Sequence, residues 1–161
     1  MKTKLFPLIL ALAFSGCEAP QSRTSTYKAA EYARYAGTGT AKITGQAFLK
    51  TVGGDVKYAA GNRVWLYPAT SMTTEWYEKV IKGGHPLKAG DERMMQHSKM
   101  TLGDGTGNFE FDSVVAGDYY VVSQVSWGVP NGYFVNYTGG AVHAKVHVND
   151  GEMKRVILTA Q

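Results

Sequence analysis

Few side chains in this chain have the types and spacing to do chemistry. His143 and His147 flank Lys145 in the segment Ala141–Val148. On a strand those three face the same way, with the histidine Cα atoms about 13 Å apart. One metal needs its ligands at about 2 Å, and a cationic lysine lies between them, so a solvated strand face is expected there and no metal. Asp104, Thr106 and Asn108 alternate like the ligands of a calcium loop. The acidic bidentate ligand such a loop needs further on is missing, because that position falls in the apolar run near Val115. Bracing of a turn by the Asp104 side chain is the favoured reading. Cys17 is the single cysteine, which leaves no partner for an intramolecular disulfide. Its thiol is open to covalent attachment, with a leftover reactive thiol or an intermolecular bridge as the competing uses. Finally Trp76, Tyr77, Trp127, Tyr133, Phe134 and Tyr137 stand where strand packing does not call for aromatic residues. They are read first as a satellite cluster, and as a partner or glycan contact if several are exposed together. No acid, base, nucleophile or metal set converges, so neither an enzyme nor a cofactor is expected.

The elements that must position these residues are mostly strands. Ile43, Gly45, Ala47 and Leu49 alternate with Lys42, Thr44 and Gln46, the period of a half-buried strand. Further strands are predicted at Asn62–Tyr67, Ser98–Leu102, Asn108–Phe111, Asp118–Val125, Ala141–Val148 and Met153–Thr159, with a long loop through Gly128–Gly140. Seven strands separated by turn signals indicate an all-β sandwich. Between residues 68 and 98 lies an insertion, in which Thr73 or Thr74 can cap a short helix over about 73–82, closed by Gly83. Residues 17–36 begin small and polar, as a tether does, and Tyr27, Tyr32 and Tyr35 with Ala29, Ala30 and Ala33 could make a short helix. Residues 37–161 are expected to form one domain, large enough to bury a core without disulfides.

At the front of the chain Lys2 and Lys4 precede the apolar run Leu5–Phe14, which ends in Ser15-Gly16-Cys17. Ten apolar residues are too few to span a bilayer as a helix. The pattern resembles a bacterial lipoprotein signal peptide, with Phe14 standing where leucine is usual. The resemblance implies a signal peptide over 1–16, an acylated Cys17, and a protein moored to the membrane without spanning it. Glu18, at the position where the family rule reads an aspartate as inner-membrane retention, points to the outer membrane, facing the periplasm. Removing residues 1–16 takes away two of the 17 basic side chains and leaves 15 against 13 acidic ones. That balance, with no Lys/Arg cluster, argues against nucleic acid as a partner.

The segment Asp104-Gly105-Thr106-Gly107-Asn108-Phe109-Glu110-Phe111 reads as a tight turn at Gly107, followed by a strand with Phe109 and Phe111 inward. Gly117-Asp118-Tyr119 opens the next strand, with Tyr119 in the same core. Asp104, Gly107, Phe109, Phe111, Gly117 and Tyr119 together resemble the signature of the carboxypeptidase regulatory-like domain. That resemblance implies a seven-stranded, Greek-key, transthyretin-like (prealbumin-like) β-sandwich over about residues 39–161, apart from the insertion. It says little about function, since the signature residues shape turns and core. Two catalytic relatives of that architecture do not transfer. The iron-binding His-x-His pair of intradiol dioxygenases is missing, and the chain ends Leu158-Thr159-Ala160-Gln161 where hydroxyisourate hydrolases end Tyr-Arg-Gly-Ser. The expectation is a non-catalytic envelope lipoprotein acting as an interaction or scaffolding module. A cell-wall glycan or peptide-binding module using Trp76, Tyr77, Trp127, Tyr133 and Tyr137 is the first alternative. A secretion-system outer-membrane component, by fold analogy alone, is the second.

Overall fold

In the computed structural model residues 18–160 are described, so Cys17 and the apolar run before it lie outside the described residues. Two four-stranded sheets face each other across one apolar core. In the first, β1 (Ala41–Lys50) is central. It pairs antiparallel with β2 (Val56–Tyr58) and β5 (Asn108–Val114), and parallel with the final strand β8 (Met153–Leu158). The second runs β4 (Lys99–Leu102), β3 (Arg63–Pro68), β6 (Gly117–Asn131), β7 (Phe134–Val148), all antiparallel. Ile43, Ala47, Phe109 and Phe111 from one sheet meet Val64, Leu66, Val121, Val142 and Val146 from the other. The period-two alternation read in the sequence is what turns these side chains inward.

The turn before β5 is built as its residues dictate. The Asp104 carboxylate accepts from the backbone N–H groups of Thr106 (2.8 Å) and Asn108 (2.9 Å), from Thr106 Oγ1 (2.9 Å) and from Asn108 Nδ2 (3.1 Å). The hydrogen bonds from Asn108 and Thr106 hold its carboxyl down to about 2. Gly107 has φ +75°, and a Cβ there would lie 2.4 Å from the Ala47 carbonyl oxygen, so only glycine fits. Tyr119 is buried and its hydroxyl donates to the Val115 carbonyl oxygen at 2.7 Å, fastening the start of β6.

Four sequence expectations change. There are eight strands, because β2 forms a short pair with the end of β1. Residues 126–140 are a two-stranded ribbon where a long loop was expected. β6 and β7 stay in register to Asn131↔Phe134 and close on Gly132-Tyr133, with Gly132 at φ +61° in the first turn position. The inserted helix starts at Ser71, since Thr70 and Thr73 cap each other reciprocally ahead of the Thr73 or Thr74 cap foreseen. This helix, α2 (Ser71–Trp76), continues as a wider π-turn over Tyr77–Lys82 and stops at Gly83.

The fourth change concerns residues 18–36, read as a tether. They lie against the domain through a backbone bridge of Gln21 to Leu87 and the short helix α1 (Ala29–Ala33). Tyr32 and Tyr35 are buried. The Tyr35 ring packs edge-on to Tyr119 at 5.2 Å, and its hydroxyl donates to the Asp118 carbonyl oxygen at 3.0 Å. Two buried aromatic rings outweigh the polar composition of the segment that carries them.

Candidate functional site

The outer face of the second sheet carries the side chains that alternate with the core. On β3, Val64 and Leu66 point inward, so Trp65 and Tyr67 point outward. Their rings lie nearly parallel, 14° apart with centroids at 5.8 Å. The helix crosses this face and lays Tyr77 flat on Tyr120 of β6, with centroids at 4.1 Å and 21° between planes. Trp76 meets Tyr67 edge-on at 5.0 Å. Together with Val122, Ala69 and Ile81 these rings make a second apolar cluster, separate from the inter-sheet core.

The helix covers only part of the face. Beside it remains an open cleft of about 640 Å³, a size that suits a small ligand. Trp65, Tyr67, Val122 and Ala141 contribute its apolar surface, Trp76 and Ile81 its helix-side rim, and Asn62, Arg63 and Gln124 its polar groups. Tyr67 is mostly enclosed, and burial pushes its phenol up to about 12. A second depression of about 460 Å³ lies between β1, β4 and β5, next to Asp104. Its one aromatic residue, Phe109, belongs to the core and offers no ring face to a ligand.

His143 needs a correction, for it is not on a solvated face. The π-turn covers it, leaving it 6% exposed, and its Nδ1 lies 2.8 Å from the Tyr77 hydroxyl. Burial pushes the Tyr77 phenol up to about 12, so it stays protonated and can donate to a neutral imidazole. Burial, reinforced by Lys82, holds the imidazole below its ordinary value. His147 is solvated, 3.2 Å from Asp118 Oδ1. Among the described residues no three metal-ligating side chains converge.

The sequence candidates are therefore dispersed. Trp76 stands on the cleft rim and Tyr77 beneath the helix. Trp127 packs against the inter-sheet core at the base of the hairpin, and Tyr133 and Tyr137 project from its far end. Trp65, Tyr67, Asn62, Arg63 and Gln124 were not singled out, although the Val64/Leu66 alternation already placed two aromatic rings on the opposite face.

No family model and no curated protein matches this chain. Among solved structures it is similar to a crystal structure of a Pseudomonas aeruginosa protein whose proposed role is carbohydrate binding. The two share 26% identity with a TM-score of 0.72, over 83% of this chain and 97% of that one. The likeness takes in most of this chain and nearly all of the other protein.

Proposed function

We propose that this protein is a non-catalytic glycan-binding module of the bacterial envelope that seats a sugar chain in the cleft between β3 and the inserted helix. The observation that carries this reading is the part-exposed ring of Trp65, backed by the enclosed Tyr67 and bordered by Asn62, Arg63 and Gln124. A pyranose ring has an apolar face of C–H groups that lies on an aromatic ring, while its equatorial hydroxyls need side-chain donors and acceptors around the rim. The cleft offers both. None of the residues lining it is Asp or Glu, whereas glycoside hydrolysis ordinarily needs a pair of carboxylates across the scissile bond. Holding a glycan, rather than cleaving it, is what such a cleft can do. The similar Pseudomonas protein supports the same class of ligand.

The chain contains three tryptophans, two of them in the cleft. Titration with soluble cell-wall and exopolysaccharide fragments is expected to shift tryptophan emission saturably and to protect it from iodide. Unchanged emission and iodide access across neutral and acidic oligosaccharides, well above the millimolar range, would refute the site.

The wider reading is a transthyretin-like, Greek-key domain of the carboxypeptidase regulatory-like type, delivered by a signal peptide and moored to the outer membrane by acylated Cys17. The motif from Asp104 to Tyr119 and the order of residues 2–17 support it. One lipid chain binds marginally and several bind firmly. Cys17→Ala is accordingly expected to move the protein from the membrane fraction to the soluble periplasmic fraction. Unchanged fractionation, with no acyl label on the wild type, would refute the anchor.

A further inference from the structure

We infer that the far end of the β6–β7 hairpin is a lipid-contacting tip, in which Tyr133, Phe134, Val135 and Tyr137 enter the interfacial layer of a phospholipid membrane. These four side chains are 104%, 76%, 56% and 80% exposed, an apolar cluster projecting into solvent rather than packed on the domain.

Three observations select a membrane as the occupant. The first is charge. From Tyr119 to Val142, 24 residues, there is no Asp, Glu, Lys or Arg. Exposed β-ribbons usually carry charges that keep them in water, and entry into lipid requires that such charges be absent. The second is the arrangement of side chains. Residues opposite one another in an antiparallel pair share a face. The pairs Val129↔Asn136 and Asn131↔Phe134 therefore lie on one side, and Gly128↔Tyr137 and Pro130↔Val135 on the other. Each face carries apolar side chains at the tip, Val129 and Phe134 beside the neutral amides of Asn131 and Asn136 on one, Pro130, Val135 and Tyr137 on the other, and Tyr133 in the turn adds a third apolar surface. A protein partner would cover one face, whereas a membrane surrounds all three. The third is the ribbon edge. β3 pairs with β6 only as far as Ser123, so the outer edge of β6 beyond it faces outward. Pro130 sits on that edge and has no N–H to offer a strand of a second copy.

The depth is set by the backbone. Unpaired edge groups are costly in hydrocarbon, so the ribbon stops at the headgroup level, where tyrosine is most at home. From Gln124↔Ala141 to Asn131↔Phe134 the hairpin extends seven residues, about 23 Å. Its base lies near the start of the described chain. Ala141 and His143 share a depression with Ile81 and Lys82, and Glu18 is bonded to His85 at 2.9 Å just beyond that helix.

Because Cys17 is the single cysteine, Cys17→Ser combined with Asn131→Cys places one environment-sensitive fluorophore at the tip of the full chain. A second protein carries it at Asp150→Cys, in the turn beyond the other end of β7. On phosphatidylethanolamine and phosphatidylglycerol vesicles the tip label is expected to shift to the blue and lose iodide access several-fold, while the Asp150 label does not change. Adding Phe134→Asp should weaken the tip response about tenfold or more, the loss expected from one buried aromatic side chain. A tip label equally open to iodide with and without vesicles overturns the inference, as does insensitivity to Phe134→Asp. So does a label already protected without lipid, which would mean a second copy. These vesicles carry no glycan, so the result is independent of the cleft.

Discussion

Replacing Glu75 with alanine is expected to lower the stability of the domain by about 3 kcal/mol and to release the chain before α1. Glu75 lies on the helix, yet four of its five hydrogen bonds go to residues some 50 positions earlier. Oε1 accepts from Thr24 N and Thr24 Oγ1, both at 2.8 Å, and Oε2 accepts from Ser25 N at 2.9 Å and from Ser25 Oγ. Lys79 Nζ completes the set at 2.8 Å. The Glu75 side chain is only 7% exposed. Its burial alone would favour the neutral acid, but the hydrogen bonds from Lys79, Ser25 and Thr24 reverse that and hold it well below the usual carboxylate range. Hydrogen bonds to a charged group contribute about 1.5–3 kcal/mol each and are not additive. Solvent can reach Lys79 and the freed backbone after substitution, which keeps the total far below the simple sum, at about the value of one or two such bonds. For a domain of this length the melting temperature should fall by about 6–12 °C. Trypsin should then cut at Arg23 and Lys28 well before the β-framework unfolds. A melting temperature within about 2 °C of the wild type would show that the segment is held by other contacts.

The sign of the pH effect follows from the same carboxylate. A group whose folded pKa is depressed contributes stability that is complete above its unfolded value, about 4.5 for glutamate, and is lost as the pH falls below it. Wild type should loosen at the N-terminal segment on acidification, and Glu75→Ala should flatten that part of the acid limb. His143 acts at a higher pH. Its folded imidazole resists protonation, so below about 6.5 the unfolded chain takes up the proton first and stability declines there as well.

The framework was legible where local chemistry and period agree. Asp104, Gly107 and the Phe109/Phe111 alternation define a turn and a strand without help from distant residues. The ribbon from Ser126 to Gly140 was not, because Gly128, Pro130, Asn131, Gly132, Gly139 and Gly140 are loop formers. Only the continued register of β6 on β7 makes them extended. The docking of residues 18–36 was equally hidden, since no periodicity links Thr24 and Ser25 to Glu75. The cleft was half legible. Strand alternation turns Trp65 and Tyr67 away from the core, but whether that face is open, covered or partly covered is decided by where the inserted helix lands. Tyr77 on Tyr120 and the Tyr77–His143 bond fix that landing, and neither contact leaves a sequence signature.

Trp65→Ala is the substitution expected to separate binding from folding most cleanly. The ring is part-exposed on the cleft surface, so removing it costs less stability than the roughly 3–5 kcal/mol of a core tryptophan, about 1–2 kcal/mol. Glycan affinity should fall between about tenfold and a hundredfold, the range seen when a central aromatic contact is truncated. The backbone under it stays put, because β3 is paired on both sides, Trp65 to Met100 of β4 and to Val122 of β6. Trp76→Ala is less clean. Its ring also packs on Tyr67, so its loss loosens the helix and mixes a folding effect into the binding one. Trp127 provides the contrast, since it packs against the inter-sheet core and does not line the cleft. Trp127→Ala should therefore reduce stability while leaving affinity within about twofold, a difference of less than 0.5 kcal/mol. Isothermal titration of the three variants against the same oligosaccharide decides the matter. If Trp127→Ala weakened binding and Trp65→Ala did not, the sugar would sit at the hairpin, and the cleft would be no more than the gap left where the helix ends.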